Sequence, residues 1–235
     1  MMFISVVIPA YNEEKYIGRC LEALLTQTYP RDQFEIIVVD NNSTDRTAAI
    51  ASGMGAIVIH EPRKGIGQAR QTGALAARGE IIASTDADTV VPPNWLERIA
   101  CRFAAEPDLG GLYGPVRHID GSDFAKAYMV TVMPLLMHVT DRINKPCFSG
   151  NNFAVRRDKF MQVGGYNTKL VAAVDVDLSI RMSKITRLQF DPTFVAYTSA
   201  RREQEGIPRI VGRTVVSGVR LLFKGESPLP LPDIR

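Results

Sequence analysis

The chain has 235 residues, of which 46% are hydrophobic, and its 28 basic and 25 acidic residues give a formal net charge of +3. This length allows one domain, or two tightly joined halves, with a sizeable core. The charge surplus is small and no basic cluster is interleaved with aromatic residues, so we expect no nucleic-acid partner.

The three cysteines, Cys20, Cys101 and Cys147, are widely spaced and form neither a zinc pattern nor an even-numbered disulfide framework. A reducing compartment, the cytoplasm, is therefore the expected location. The N-terminus enters a strand pattern without a basic leader, so we expect no signal peptide. No apolar run reaches the roughly 18 residues that a membrane span requires, so we expect a soluble or peripheral protein.

The first half of the chain alternates between apolar strands and helices. Predicted strands cover residues 4–8, 34–39, 56–60 and 80–85. Between them we expect a helix capped by Asn12, a short helix capped by Ser43 or Thr44, and a helix over residues 67–77. Continuous apolar strands that are separated by helices predict a parallel sheet covered on both faces.

Polar residues follow each of these strands, and ligands of such sheets bind outside the carboxyl ends of the strands. The sequence therefore predicts one site for an anionic ligand together with a cation. Its candidate residues are Asn12, Glu13, Asp40, Arg63, Lys64, Asp86 and Asp88.

The second half is less regular and carries no internal repeat. Helices are predicted over residues 94–105, 124–141 and 175–184, with a further helix that ends at Val163. Strands are predicted over residues 112–116 and 148–155.

The pair Asp86 and Asp88 follows a short buried strand, where two like charges repel each other. On an isolated loop such a pair is a solvated turn. At the end of a parallel strand the same carboxylates suit Mg²⁺ or Mn²⁺, which would neutralise a departing diphosphate.

Two further segments each have a structural and a functional interpretation. The glycines at 65 and 67 provide either a flexible helix start or a loop that brings Arg63, Lys64 or Arg70 to a ligand's phosphates or sugar. Asp177 at the start of the last helix fits a stabilised first turn or an ion pair with the residue at 181. Asp175 at the same start is a candidate general base.

Six motifs occur in one order along residues 3 to about 200, and together they are highly specific. They are SVVIPAYNEE (5–14), IIVVDNNSTD (36–45), DAD (86–88), GNNFAVRR (150–157), GGY (164–166) and DVDL (175–178). In these motifs the chain resembles the family-2 glycosyltransferases of the GT-A fold.

This resemblance implies an α/β fold with a mixed, mainly parallel sheet flanked by helices and a C-terminal helical tail. The catalytic domain would cover residues 1–200, with a nucleotide-sugar half at 1–92 and an acceptor half at 93–200, and the tail would cover 201–235. The implied reaction is an inverting transfer from a nucleotide-diphospho-sugar, with UDP favoured and GDP next, which needs one base and no covalent intermediate.

The resemblance also implies a role for individual residues. Asp175 would be the catalytic base, Asp88 would bind the metal and Asp86 would lie near the ribose. Asp40 would hold the nucleobase, in a pocket lined by Pro9, Ala10, Tyr11 and Glu13, while Gly150, Asn151 and Asn152 would shape the sugar and acceptor side. Further substrate-binding candidates are Asn42, Lys64, Arg70, Arg201 and Arg202, of which the last two lie where relatives neutralise the diphosphate or, alternatively, form a solvated basic pair.

The chain departs from the family pattern at two points. Val174 stands where many relatives have Glu, and the Gln-x-x-Arg-Trp signature of processive synthases is absent, so we expect a non-processive enzyme. A nucleotidyltransferase acting on a sugar phosphate is an alternative, although the N-terminal loop lacks the expected glycine-rich basic sequence. A non-catalytic nucleotide-binding module is a third reading, which the intact Asp88 and Asp175 disfavour.

Residues 207–224 have a helical pattern with one basic and one apolar face. Such a helix can lie on an anionic membrane surface, with the apolar segment 128–139 as a second contact. A peripheral enzyme on the cytoplasmic face of the membrane, with a lipid-linked or glycan acceptor, is one expectation. The alternative is that the apolar face packs on the catalytic core.

Overall fold

The computed structural model describes residues 1–143 and 145–201. Strands and helices alternate through the first half, with one 3-10 turn at Arg31–Gln33. The elements are β1 (Ile4–Ala10), α1 (Ile17–Leu25), β2 (Phe34–Asp40), α2 (Thr47–Gly53), β3 (Ile57–His60), α3 (Ile66–Ala76) and β4 (Ile81–Ser84).

The second half mixes longer helices with short strands. Its elements are β5 (Thr89–Val90), α4 (Trp95–Ala105), β6 (Leu109–Tyr113), β7 (Val116–His118), α5 (Asp123–Arg142), β8 (Phe153–Arg156), α6 (Arg157–Gln162), α7 (Val174–Met182), β9 (Arg187–Phe190) and β10 (Ala196–Thr198).

Seven strands form the main sheet in the order β3-β2-β1-β4-β8-β6-β9. Strands β1 to β4 are mutually parallel, and β6 is parallel to β9, whereas β8 runs antiparallel to both of its neighbours. The predicted mixed, mainly parallel sheet is therefore confirmed. Ala10 lies opposite Asp40, which lies opposite His60, so the first three strands end at one edge.

The core has two layers because successive strand residues point to opposite faces of the sheet. Val6 and Ile8 of β1 pack in a cluster with α1 and α4, while Val7 packs in a second cluster with α3 and α7. All seven residues of β2 are buried, as expected for a strand covered on both faces.

Three strands form a second, smaller sheet in the order β5-β10-β7. Neither β5 nor β10 was predicted, because two or three residues are too few to show a period of two. Strand β9 was also missed, since its sequence RLQF is largely polar and only partly buried. Strand β8 begins at Phe153 and not at residue 148, because the preceding residues form a turn.

The predicted helix caps were wrong. Helix α1 begins at Ile17, and Asn12 instead has a left-handed backbone with φ of 54°, which allows its side chain to bond a neighbouring loop. Helix α2 begins at Thr47, and the backbone N–H of Thr47 donates to the Asp45 carboxylate at 2.9 Å. The N-cap residue of α2 is therefore Arg46, and the side chain of Asp45 before it satisfies the first N–H of the helix in place of the predicted caps at 43 and 44.

Helix α5 leaves most of its apolar side chains exposed. Leu135 is 64% exposed and Phe124 is 63% exposed, while Ala125, Met137 and Thr140 are the helix's buried residues. Within the part of the chain that the structure describes, no helix is long and apolar enough to cross a membrane.

The main sheet draws strands from both predicted halves, with β1 to β4 before residue 93 and β6, β8 and β9 after it. The division into two halves stays a prediction. The predicted tail helix over 207–224 lies outside the described residues.

Candidate functional site

Carboxylates that follow β1, β2 and β4 gather at one edge of the sheet, because these strands are parallel and in register. Glu13 follows β1, Asp40 ends β2, and Asp86 and Asp88 follow β4. Burial, and then the charges of Asp88, Asp86 and Glu13, raise the pKa of the buried Cys20 thiol. The predicted convergence of acidic groups at this edge is therefore present.

Hydrogen bonds lock the loop after β1 to the loop after β2. The backbone N–H of Thr44 donates to Asn12 Oδ1 at 2.8 Å, and the N–H of Asn12 donates to Ser43 Oγ at 3.0 Å. The N–H of Glu13 donates to Thr47 Oγ1 at 2.7 Å. These bonds fix the strand ends that would line a nucleotide pocket.

Asp40 and Asn42 are held by neighbouring strands and loops. Asp40 is 6% exposed, and its Oδ2 lies 3.4 Å from His60 Nδ1. Asn42 has a left-handed backbone with φ of 70°, and its Nδ2 donates to the carbonyl oxygens of Glu61 and Pro62, each at 3.1 Å. Both residues thus lie at the end of β2, and their role in a nucleotide pocket stays a prediction.

Tyr11 and Lys64 form the rim of the same edge. The Lys64 ammonium lies 5.9 Å from the centre of the Tyr11 ring, within the range of a cation–π contact. Pro9 and Ala10 are the last two residues of β1 and precede Tyr11 directly. The structure thus brings these three predicted residues together with Lys64.

Arg201 links the acidic residues on the other side of the site. Its Nη1 and Nη2 each donate to the Glu13 carboxylate at 2.7 Å, and its Nη2 lies 2.9 Å from Asp88 Oδ2. Thr198 Oγ1 donates to Asp88 Oδ1 at 3.1 Å, and the guanidinium carbon of Arg201 lies 4.9 Å from the Tyr16 ring centre. Arg201 thereby compensates the carboxylates of the buried Glu13 and the partly buried Asp88.

The carboxyl group of Asp88 has a raised pKa. Burial and then the charge of Asp86 raise its pKa to about 6, while the charge of Arg201 opposes this rise. Of the two arginines predicted near a diphosphate, Arg201 therefore contacts the acidic site, and Arg202 lies outside the described residues.

Arg70 lies beneath the site and not on its surface, since the residue is 2% exposed. Its Nη1 donates to Ser84 Oγ at 2.6 Å and to the carbonyl oxygen of Gly150. Its Nη2 donates to Asp86 Oδ1 at 2.7 Å. Arg70 thus joins the end of β4 to the loop before β8.

Asp175 lies in the first turn of α7, directly beyond Ala173, whose backbone is left-handed with φ of 52°. Burial raises the pKa of the Asp175 carboxyl. The charge of Arg70 and a hydrogen bond from the Gly150 backbone act in the opposite direction, and the charge of Asp86 adds to the rise. The charge of Arg70, which pairs with Asp86, thus also acts on the candidate base.

The predicted ion pair in α7 is confirmed. Arg181 Nε donates to Asp177 Oδ2 at 2.8 Å, so Asp177 serves the helix as expected. Asp175 makes no such intrahelical pair among the ion pairs found in the described residues.

The loop before β8 depends on glycine. A Cβ atom on Gly150 would lie 2.4 Å from Arg70 Nη2, so a larger residue would displace the guanidinium. Asn151 Oδ1 accepts a hydrogen bond from Ser149 Oγ at 2.7 Å. The turn thus fits around Arg70.

Asn152 is fully buried and bonded to the protein. Its Nδ2 donates to the carbonyl oxygens of Pro115 at 3.0 Å and Phe194 at 2.6 Å, and its Oδ1 accepts from Trp95 Nε1 at 2.9 Å. Its side chain therefore anchors the loop to the core of the second half.

Sequence reasoning missed several residues of the site. Tyr166, which the sequence marked only as part of the GGY motif, is 6% exposed, and the charge of Arg70 opposes the rise in its pKa that burial causes. The only sequence signal for Ser84 is a small polar residue at the end of an otherwise apolar strand. Tyr16 and Thr198 contact Arg201 and Asp88 through tertiary structure, and no local pattern marks them.

The carboxylates of the site suit a divalent cation whose coordination shell is completed by oxygen atoms of a bound substrate. Among the described residues, no group of three or more His, Cys, Asp or Glu side chains could hold a metal ion. Asp88 offers hard carboxylate oxygens, and Mg²⁺ is commonly bound by one or two carboxylates plus substrate phosphates. The residues present therefore fit Mg²⁺ or Mn²⁺ at Asp88, with phosphate oxygens and water as the remaining ligands.

The family model "Glycosyl transferase family 2" matches residues 5–164 of the chain. Glycosyltransferase AglE of Haloferax volcanii is 33% identical over 183 residues, which are 74% of this chain and 59% of AglE. Beta-monoglucosyldiacylglycerol synthase of Synechocystis sp. is 30% identical over 194 residues, which are 76% of this chain and 40% of the synthase. The chain thus spans about half the length of these curated relatives.

Two solved structures share the fold at low identity. Mannosyltransferase PcManGT from Pyrobaculum calidifontis, in complex with GDP-Man and Mn²⁺, has a TM-score of 0.74 and 24% identity. That match covers 97% of this chain and 66% of PcManGT. S. aureus TarS 1-349, in complex with UDP-GlcNAc, has a TM-score of 0.71 and 22% identity over 84% of this chain and 58% of its own. These matches confirm the predicted GT-A fold.

Proposed function

Because this chain belongs to glycosyl transferase family 2, we propose that it transfers a sugar from a nucleotide-diphospho-sugar to an acceptor hydroxyl. The transfer inverts the anomeric centre and is non-processive. The observation that carries this proposal is the position of Asp86 and Asp88 directly after β4, where Arg70 pairs with Asp86 at 2.7 Å and its charge also acts on Asp175.

Asp175 is the general base of the proposed reaction. Its carboxylate takes the proton of the acceptor hydroxyl while the hydroxyl oxygen bonds to the anomeric carbon. The bond from that carbon to the diphosphate oxygen breaks at the same time, and the nucleoside diphosphate leaves. Because burial raises its pKa, Asp175 is a stronger base than a solvated aspartate.

Asp88 and Arg201 act on the leaving group of the proposed reaction, the nucleoside diphosphate. Asp88 would hold Mg²⁺ or Mn²⁺, and the bound ion would neutralise charge on the diphosphate. Arg201 already presents two N–H donors side by side to Glu13, a geometry that also matches phosphate oxygens. Arg201 therefore stabilises the departing diphosphate.

The donor nucleotide is UDP, or next in order GDP. TarS is solved with UDP-GlcNAc and PcManGT with GDP-Man, which supports both choices. Asp40 and Asn42 bind the nucleobase side, in a pocket lined by Pro9, Ala10, Tyr11 and Glu13, with Lys64 at its rim.

The acceptor is lipid-linked, and the enzyme contacts the cytoplasmic face of a membrane peripherally. Helix α5 presents an apolar surface to solvent, which marks an interaction surface. One relative carries the name beta-monoglucosyldiacylglycerol synthase. Sedimentation with anionic vesicles tests this contact. We expect Leu135→Gln to lower recovery and Leu75→Gln, at an exposed leucine of α3, to leave recovery unchanged.

An assay with labelled nucleotide-sugars and Mn²⁺ tests the reaction itself. Slow release of nucleoside diphosphate, lost in Asp175→Asn, supports the proposal. Pyrophosphate exchange would instead show a nucleotidyltransferase, and neither product would show a binding module. A thermal-shift screen identifies the donor, since a bound ligand raises the melting temperature.

A further inference from the structure

The packing of α3 directs Arg70 into the interior of the protein. A Cβ on Gly73 would lie 2.5 Å from Val7 Cγ1, so α3 rests directly on β1. Arg70 lies nearly one turn earlier on this helix, and its side chain is only 3% exposed. A guanidinium at this depth requires partners, because an unpaired buried charge is costly.

The partners of Arg70 come from three separate segments. Ser84 ends β4, Asp86 lies in the loop that follows, and Gly150 belongs to the loop before β8. Ser84 Oγ also donates to the Gly150 carbonyl at 2.7 Å, so this oxygen accepts two hydrogen bonds. Arg70 and Ser84 together hold the Gly150 turn against the end of β4.

The start of α3 packs against the start of α7, since a Cβ on Gly67 would lie 3.2 Å from Cγ1 of Val174, the residue before Asp175. Four nearby groups interact electrostatically with the Asp175 carboxyl. Arg70 comes from α3, Asp86 from the loop after β4, Cys147 from the loop after α5, and Tyr166 from the loop after α6. The charge of Arg70 lowers the pKa of Asp175 and that of Asp86 raises it, while the charge of Asp175 raises the pKa of Cys147 and of Tyr166. Arg70 is the cation of this group.

We propose that Arg70 is a positioning residue, which supplies the internal counter-charge of Asp86 and Asp175 and fixes the Gly150 turn between them. It acts through Asp175 and does not touch the donor, because both of its terminal nitrogens are engaged by protein groups. This role rests on the proposed function, in which Asp175 is the general base.

The pH dependence of kcat separates this role from donor binding. Asp175 must be ionised to accept a proton, so turnover falls on the acidic side of its pKa. In Arg70→Gln the acidic limb should move to higher pH by about 1 to 3 units, the range in which a neighbouring cation lowers a carboxyl pKa. Arg70→Lys keeps the charge and should keep the limb near its original pH, with a lower kcat because the fork of hydrogen bonds is lost.

Arg181→Gln is the matched control. It removes an arginine that pairs with an aspartate at 2.7 Å on α7, without removing a group that faces Asp175. The acidic limb of this variant should stay in place. The nucleotide affinity of all three variants, measured by titration with UDP and GDP, should stay unchanged.

A raised KM for the donor in Arg70→Gln, with the acidic limb in place, would show that Arg70 binds substrate and would overturn the proposal. If Arg70→Gln does not fold, Arg70→Lys decides, because a limb displaced to higher pH in that variant contradicts the counter-charge role. Asp175→Asn distinguishes a failure of the proposed function from a failure of the proposed role of Arg70. Near-normal transfer there would refute the proposed base, whereas lost transfer together with an unmoved limb in Arg70→Gln refutes the role of Arg70 alone.

Discussion

Two arginines compensate the carboxylates of the site, and they do so in different ways. Arg70 belongs to a helix of the core, its side chain is 3% exposed, and it bonds to a main-chain carbonyl as well as to Asp86. Arg201 follows the small sheet, its side chain is 16% exposed, and it pairs with Glu13 and Asp88. Arg70 is therefore part of the framework, whereas we expect a bound ligand to replace the protein partners of the more exposed Arg201.

The removal of the Asp88 charge should have the largest effect, because it deletes the carboxylate that both Arg201 and a metal would use. We expect Asp88→Asn to abolish metal-supported turnover. A Mn²⁺ titration of nucleoside diphosphate release measures this. Full activity across the titration would rule out a metal at Asp88. Arg201 would then share its carboxylate with no cation, and the proposed difference between the two arginines would disappear.

Asp175→Asn should lower transfer by at least about 10²-fold, the usual scale for a general base. Donor binding should remain nearly intact, because the substitution keeps the size of the side chain and leaves the nucleotide pocket unchanged. Single-turnover transfer and nucleotide titration measure the two quantities separately. Near-normal transfer would exclude Asp175 from the mechanism.

Arg201→Gln tests whether this arginine is exchangeable. Without the guanidinium, Asp88 is free for a cation, so we expect Mn²⁺ affinity in the absence of nucleotide to rise about tenfold, or about 1.4 kcal/mol. Electron paramagnetic resonance of free Mn²⁺ measures this. Arg46→Gln, at an exposed pair with Glu14, is the control and should change nothing. Unchanged Mn²⁺ affinity in Arg201→Gln would mean that both arginines are fixed.

Ser84→Ala should have the smallest effect, and it should change only the stability of the fold around Arg70. The variant removes one hydrogen bond to Arg70 and one to Gly150, and it leaves both arginines in place. We expect the free energy of unfolding in urea to fall by about 1 kcal/mol. Mn²⁺ affinity should not change, and a large change would show that the two centres are coupled.

The sequence was sufficient to predict the parallel half of the fold and the acidic edge. Strands β1, β2 and β4 are largely apolar segments that end in polar residues or are followed by them, and parallel strands bring those ends together. The order of Asp40, Asp86 and Asp88 along the chain therefore predicted their convergence in space.

The partners within the site could not be predicted in this way. Arg70 and Gly150 are 80 residues apart, and Arg201 and Glu13 are 188 residues apart. No local propensity reports whether a guanidinium points into the core or toward a ligand. The sequence thus named Arg70 and Arg201 as candidates without distinguishing the buried one from the one near the surface.

Strand β8 has a consequence for the order in which the protein folds. It fills the place between β4 and β6, yet it is synthesised only after α4, β6, β7 and α5. Until then, the outer edge of β4 exposes unpaired N–H and C=O groups, which favour association between chains. Pairing over such sequence distances is slow, so we expect nascent or truncated chains that lack residues 153–156 to aggregate and to need chaperones.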